Sequence, residues 1–306
     1  MPAAVVAAVV VTYNRKDLLV ECLAALRTQT VPPALIIVVD NASTDGTSDY
    51  LASVDDVEVV ALRHNTGGAG GFAAGIAAAL SGSADAIWLL DDDTIPTPTA
   101  LVELLRVRDG YPGGPPAVVA SRVVWSDGRD HPMNTPRTRP GATRAALDAA
   151  AGVGCRPIRS ASFVSILIDR SAIEQHGLPE AAYFLWNDDF EYTARLLRTG
   201  VGLYCPASVV VHKTRTFGST DADPGERFFF EVRNKAWVFT RSPCLTPTEK
   251  LIYGGSTLAR GARTFRASTD RRLLLHGLRR GLRAASQPPV RTRQILAEAG
   301  LDVVAP

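Results

Sequence analysis

The first hundred residues repeat one pattern: a short apolar run, a polar end, then a helical stretch. Residues 5–11, 35–39, 57–62 and 86–90 read as strands, and helices are expected near 16–28, 47–53 and 70–80. Strands alternating with helices require right-handed β-α-β crossovers, and therefore a mostly parallel sheet with helices on both faces. Such α/β sheets receive ligands beyond the carboxyl ends of their strands. The polar residues fall there: Thr12-Tyr13-Asn14-Arg15 after the first run, Asp40-Asn41 after the second, and Asp91-Asp92-Asp93 after the fourth.

Residues 107–160 are looser, with a turn-rich break at 111–116 and a low-complexity stretch at 137–152. Strand patterns return at 162–168 and 201–204, around a helix at 189–199, and the run 209–211 delivers His212. From 226 onward the pattern is helical, broken at Ser242-Pro243 and Gln287-Pro288-Pro289. We expect a body at 1–225, in two halves at 1–110 and 111–225, with a helical extension at 226–306. Charge follows that division. Residues 1–240 carry 21 Lys and Arg against 27 Asp and Glu, and residues 241–306 carry 12 against 4. An acidic body with a basic tail points to an anionic surface or substrate at the C-terminal end.

No apolar stretch reaches the roughly 18 residues of a membrane span, and the apolar start has neither a basic leader nor a cleavage-site pattern. Cys22, Cys155, Cys205 and Cys244 are far apart. Disulfide scaffolds and cysteine zinc sites are therefore not expected, and a reducing cytosol is the natural compartment.

Three carboxylates at one strand end repel one another unless a cation neutralises them. Oxygen ligands at an open edge suit Mg²⁺ or Mn²⁺; the competing reading of Asp91–Asp93 is a polar turn before the helix at 97–107. Asn65-Thr66-Gly67-Gly68-Ala69-Gly70-Gly71-Phe72 is a glycine-rich loop opening a helix. It fits close backbone approach to phosphate or, equally, tight helix packing. It is no P-loop, since no Gly-Lys-Ser/Thr follows. Trp186-Asn187-Asp188-Asp189-Phe190-Glu191-Tyr192 sets carboxylates at a helix start, where they can cap or, at Asp189, act as a general base. His212, at another strand end, is a candidate metal ligand. An Asx-type turn explains residues 43–46 and leaves Asp40 for a base or ribose hydrogen bond.

In the tail, residues 257–284 interleave eight arginines with leucines, of which Leu274, Leu278 and Leu282 share a helix face. A basic amphipathic helix can lie on an anionic membrane surface, and it can also pack within the fold or pair in a homo-oligomer. No nucleic-acid motif is present, so nucleic acid is not an expected partner.

Together, Val-Thr-Tyr-Asn-Arg (11–15), Val-Val-Asp-Asn-Ala-Ser-Thr-Asp-Gly-Thr (38–47), the glycine-rich segment, Asp-Asp-Asp (91–93) and Asp-Asp-Phe-Glu-Tyr (188–192) resemble the family 2 glycosyltransferases with the GT-A fold. The resemblance spans about 1–215. Within that family, Trp-Asn-Asp-Asp-Phe-Glu-Tyr and Val-His-Lys-Thr (211–214) are most similar to bacterial galactofuranosyltransferases. The length and the basic tail are similar to those that begin mycobacterial-type arabinogalactan.

The resemblance implies inverting transfer of galactofuranose from a UDP-sugar donor, with Mg²⁺ or Mn²⁺, to a rhamnosyl-GlcNAc-diphosphoryl polyprenol. The enzyme would work at the inner face of the plasma membrane. The half at 1–110 would bind the nucleotide and the half at 111–225 the acceptor. Thr12, Tyr13 and Asn14 would lie against uridine and Asp40 would read the uracil. Arg15, Asn41, Asn65, Gly67, Gly68, Gly70 and Asp92 would complete the donor pocket. Asp91 would sit near ribose or metal, Asp93 and His212 would ligate the metal, Asp189 would be the base, with Asp188 and Glu191 beside it, and Trp186 and Asp188 would meet substrate. Asn187 departs from related motifs, which often carry an acidic residue there. A rhamnosyltransferase using dTDP-rhamnose and a non-catalytic nucleotide-sugar-binding scaffold are the alternatives.

Overall fold

The computed structural model describes residues 4–218 and 224–303. Strand β1 (Val6–Thr12) is buried along its whole length, as a central strand covered on both faces must be. Its alternate side chains feed two cores. Val6, Ala8 and Val10 pack with Leu19, Leu23 and Leu26 of α1 (Lys16–Arg27) and with Leu101 and Leu104 of α4 (Ala100–Gly110). Ala7, Val9 and Val11 face Phe72, Ala73 and Ile76 of α3 (Gly67–Ser81). Each fully buried valine or leucine stabilises the fold by about 1.5–3 kcal/mol relative to exposure.

The parallel half matches expectation. β1 lies between β2 (Leu35–Asp40) and β4 (Ala86–Asp91), with β3 (Glu58–Ala61) outside β2 and the short α2 (Thr47–Ala52) between β2 and β3 in sequence. Register pairs Thr12 with Asp40 and Val11 with Asp91, so these polar ends share one edge.

The second half is mixed rather than parallel. In chain order it adds β5 (Thr94–Pro96), β6 (Val118–Val124), β7 (Arg137–Thr138), α5 (Arg144–Gly152), β8 (Arg156–Ser160), β9 (Ile166–Asp169), α6 (Arg170–His176), α7 (Asp188–Leu196) and β10 (Gly202–His212). The sheet order is β3-β2-β1-β4-β9-β6-β10-β8-β7, with β5 antiparallel to β10. β9 runs antiparallel to both β4 and β6.

The sequence pattern missed β6 and β8 in a region expected to be loose, and it began β9 too early. Ser165 takes a positive φ of 58° and its carbonyl accepts from Ser121 N at 3.0 Å, so the strand starts only at Ile166. The two runs expected at 201–204 and 209–211 are one strand, β10, bent by an irregularity between Cys205 and Val209. That strand pairs His212 with Thr94.

The extension is helical: α8 (Phe228–Thr240), α9 (Pro247–Ala267), α10 (Arg271–Ala285) and α11 (Thr292–Glu298). α9 opens with a capping box between Thr246 and Glu249. Glu249 also pairs with the buried Arg159 of β8 at 2.6 Å. α10 packs on α8 through Leu274, Gly277, Gly281 and Ala285; a Cβ on Gly281 would lie 2.8 Å from Val232 Cβ. Leu274 is therefore buried, and the outward row is Leu275, Leu278 and Leu282 rather than the expected 274-278-282 face. Among the described residues no helix is long and apolar enough to cross a membrane. All four cysteines are free and buried.

Glycines in α3 let it approach the sheet: a Cβ on Gly75 would lie 2.3 Å from Val9 Cγ1 and one on Gly71 would lie 2.5 Å from Val11 Cγ1. Replacing a helix-interior Gly with Ala gains about 1 kcal/mol of propensity, and overpacking a core costs about 1–3 kcal/mol. Gly75→Ala should therefore lower the thermal midpoint. Gly68→Ala, with nothing within 4 Å of its Cβ, should leave the midpoint level or raise it. Equal midpoints for both variants would refute the close-packing account.

Candidate functional site

The carboxyl edge of the sheet gathers Asp91, Asp93 and His212, whose ligand atoms all lie within 4.8 Å of one another. Asp91 ends β4, Asp93 lies in the turn to β5, and β5 pairing with β10 carries in His212. Lys213 N donates to Asp93 O at 2.8 Å and locks that approach. His212 Nε2 stands 3.0 Å from Asp93 Oδ1, a buried oxygen with no other partner among the described residues.

Burial, with the charge of Asp93 next, pushes the Asp91 carboxyl up to about 7. For Asp93, burial is outweighed by the His212 bond and the charges of His212 and Arg15, and its carboxyl is held below the usual range. Burial alone would lower the His212 imidazole; Asp93 and Asp91 hold it above its ordinary value. A partly neutralised acidic cluster with an oxygen short of partners fits a divalent cation. Two carboxylates and one imidazole would leave a divalent cation open to further oxygen ligands.

Asp92 faces the other way. Its Oδ2 accepts from Thr12 Oγ1 at 2.9 Å, and its Oδ1 lies 3.2 Å from Arg15 Nη1, which also reaches Asp93 Oδ2 at 2.6 Å. The half-exposed Arg15 is thus already a counter-charge to the cluster. Burial raises the Asp92 carboxyl to about 6 against that pull. Thr12 is buried, whereas Tyr13 is exposed on the edge.

Several residues expected in the donor pocket are engaged in building its walls. Asp40 belongs to the turn from which the sequence reading exempted it: Oδ1 accepts from Ser43 N at 2.9 Å and Oδ2 from Ser48 Oγ at 2.6 Å. Asn14 Oδ1 accepts from Thr44 N at 2.6 Å. Asn41 donates to Gly67 O at 2.9 Å and accepts from Thr66 N at 2.8 Å, clamping the start of α3, and Asn65 Oδ1 accepts from Gly67 N at 2.7 Å. The helix begins at Gly67, three residues before its expected start. Gly67 has φ +73°, and a Cβ there would lie 2.0 Å from Phe184 O; one on Gly70 would lie 2.3 Å from Thr66 Oγ1. Close packing thus accounts for Gly67 and Gly70, and Gly68 alone of the three has open space.

Residues 184–187, packed against the start of α3 at Phe184, lead into α7 with three non-glycine positive φ angles: Phe184 (61°), Trp186 (67°) and Asn187 (64°). Such backbone costs about 1–3 kcal/mol per residue and persists only where its surroundings hold it. Asn234 of α8, fully buried, supplies the hold, reaching the carbonyls of Tyr183, Leu185 and Trp186 at 2.8–2.9 Å. Asn187 donates to Glu231 Oε2 at 2.9 Å, so the residue that departs from the acidic pattern is bonded to an acid supplied by α8. A lone asparagine in a helix gives no sequence signal, and Asn234 was not anticipated.

Asp188 and Asp189 open α7. Burial, then the charge of Asp189 and more weakly that of Asp91, raises the Asp188 carboxyl well above its usual range. Burial pushes Asp189 up to about 6, against hydrogen bonding by Phe190 N and the charge of Arg137. Glu191 points away from the cluster: it is buried, pairs with Arg195 at 3.0 Å and accepts from Ser242 Oγ at 2.7 Å. Those contacts tie α7 to the extension.

Residues 7–176 match the model of glycosyl transferase family 2. The chain is 31% identical over 254 residues to galactofuranosyltransferase GlfT1 of Mycobacterium tuberculosis, covering 76% of this chain and 82% of that one. It is 28% identical over 274 residues to GlfT1 of Mycolicibacterium smegmatis, covering 82% and 88%. In fold it is similar to S. aureus TarS, spanning half of the longer TarS chain, and to TarS 1–349 in complex with UDP-GlcNAc. The latter has a TM-score of 0.61 at 15% identity over 96% of this chain and 83% of that one. GalNAc-T7 with UDP, GalNAc and Mn²⁺ is similar at a TM-score of 0.55 and 14% identity, covering 84% and 55%. By family match, identity and fold, this chain belongs to glycosyl transferase family 2.

Proposed function

We propose that the chain is a metal-dependent, inverting galactofuranosyltransferase. It moves galactofuranose from UDP-galactofuranose to a rhamnosyl-GlcNAc-diphosphoryl polyprenol, adding the first galactan residues. The observation that carries the reading is the gathering of Asp91, Asp93 and His212 at one sheet edge, with the charge of Asp91 felt by the buried Asp188 that opens α7. The names of the mycobacterial relatives support the sugar, and the UDP complexes of TarS and GalNAc-T7 support a nucleotide-sugar donor.

In this reading Asp91, Asp93 and His212 hold Mg²⁺ or Mn²⁺, which when bound neutralises the departing diphosphate as a Lewis acid. Thr12, Tyr13, Asn14 and the turn anchored by Asp40 shape the uridine side. Arg15 is free to follow the diphosphate once another cation balances Asp93. Asp189 takes the proton from the acceptor hydroxyl, which attacks the anomeric carbon from the face opposite UDP. Asp188 and Trp186, fixed by the strained segment, orient the acceptor.

The extension supports a lipid-linked acceptor on an anionic membrane. α9 buries no residue and turns Leu251, Ile252 and Leu258 to solvent, as α10 does Leu275, Leu278 and Leu282. Arg260, Arg263, Arg266, Arg271, Arg272, Arg279, Arg280 and Arg283 accompany these rows, with Asp270 the one acidic residue between Lys250 and Gln294. An apolar surface this basic is complementary to anionic lipid, at about 1 kcal/mol per surface arginine, and would repel a second copy of itself.

Asp189→Asn should lower kcat by about 10²–10⁴-fold while UDP affinity holds; near-normal turnover in that variant would remove Asp189 as the base. Because the base must be ionised and its carboxyl is raised to about 6, kcat/KM should climb with pH through about 6 and level off above it. A flat profile from about pH 5 to 7 would contradict the assignment. Leu258→Glu with Leu278→Glu should abolish sedimentation with phosphatidylglycerol vesicles. Undiminished sedimentation of that variant would exclude this face as the membrane contact.

A further inference from the structure

Beyond the proposed ligands stands a side chain that none of the sequence motifs contains. Asn134, buried in the loop between β6 and β7, places its Oδ1 2.9 Å from His212 Nδ1. Its Nδ2 donates to Ser162 Oγ at 3.0 Å, which turns the amide carbonyl toward the imidazole. A carbonyl oxygen can only accept, so Nδ1 must carry a proton, and in the neutral ring, the form that ligates a metal, Nε2 presents the lone pair. That lone pair faces Asp93 Oδ1 at 3.0 Å. Two acceptors aimed at each other across that distance are suited to a cation held between them.

The loop holding Asn134 is built against the end of β10. Asn134 N donates to His131 O at 3.1 Å. The fully buried His131 ring lies 5.1 Å from that of His212 and bonds Thr214 Oγ1 at 3.1 Å. Trp125 Nε1 donates to Thr214 O at 3.0 Å. The segment from His212 to Thr214 is thus gripped from one side by this loop and from the other by Asp93.

We infer that Asn134 is a positioning residue for the metal: it fixes the His212 ring and the tautomer in which Nε2 is the ligand atom. This rests on the reading of Asp91, Asp93 and His212 as a metal site. Partners of this kind behind a ligating histidine typically control affinity by about 10–100-fold.

The test is Mn²⁺ titration of the purified full chain, followed by electron paramagnetic resonance without donor or acceptor, on wild type, His212→Ala, Asn134→Leu and Asn134→Asp. Melting temperatures in chelator monitor folding. Asn134→Leu removes the acceptor and should weaken Mn²⁺ about 10–100-fold. Asn134→Asp keeps an acceptor for Nδ1–H, while Ser162 can turn its hydroxyl to donate, and should bind Mn²⁺ at least as tightly as wild type. If wild type binds no Mn²⁺, or His212→Ala leaves its affinity unchanged, the metal reading fails and takes this inference with it. If His212→Ala weakens binding but Asn134→Leu does not, or if Asn134→Asp is as weak as Asn134→Leu, the metal reading stands and the role of Asn134 is overturned.

Discussion

Three carboxylates crowded at the end of one buried strand are the constraint around which the rest is arranged. Two like charges about 4 Å apart cost about 4 kcal/mol at an effective dielectric constant near 20, and Asp91, Asp92 and Asp93 are consecutive. The fold meets this repulsion piecemeal. Asp92 turns to Thr12 and Arg15, Asp93 to Arg15 and His212, and Asp91 is left with its carboxyl raised to about 7. The compensation is incomplete, since Asp93 Oδ1 has no partner but the His212 imidazole among the described residues. The pairing of β5 with β10 follows the same logic, because it is what brings an imidazole from 119 residues away to this edge.

The second requirement is a fixed start for α7. Residues 184–187 supply it at the expense of three unfavourable backbone angles, and α8 supports them through Asn234 and Arg233; Arg233 donates to the carbonyls of Ala182 and Tyr183. α9 is tied to the same region, because Arg159 joins Glu249 to the carbonyls of Ala194 and Cys244. The helices after residue 226 are thus part of the scaffold that aims Asp188 and Asp189.

The parallel half of the fold was legible because its strands are apolar on both faces and end in polar residues at one edge. The gathering of Asp91, Asp93 and His212 was legible for the same reason, since each ends or closely follows a strand. β6 and β8 were not: Ala117-Val118-Val119-Ala120 follows a Gly/Pro-rich break, and β8 reads Arg156-Pro157-Ile158-Arg159-Ser160, with one large apolar residue among polar ones and a proline, so neither pattern announces a central or paired strand. Asp40 shows the opposite limit. Its residue type fits both a nucleotide contact and a turn, and only the position of Ser43 and Ser48 reveals that one oxygen is bonded in the turn and the other to the first turn of α2. In the tail, spacing alone gave Leu274, Leu278 and Leu282 as one face. Gly277 and Gly281 rotate that choice by letting α10 sink onto α8, which buries Leu274 and presents Leu275. Asn134 and Asn234 act through single side chains on loops and helices far away in sequence, where no periodicity records them.

The central claim, metal-dependent transfer of galactofuranose, is tested most directly by supplying purified protein and Mn²⁺ with a synthetic rhamnosyl-GlcNAc-diphospholipid. UDP-galactofuranose, UDP-galactopyranose and dTDP-rhamnose are then compared by product mass. Addition of one or two hexoses from UDP-galactofuranose alone, lost on chelation, is the predicted result. Transfer from dTDP-rhamnose in its place, or undiminished transfer in chelator, would contradict it.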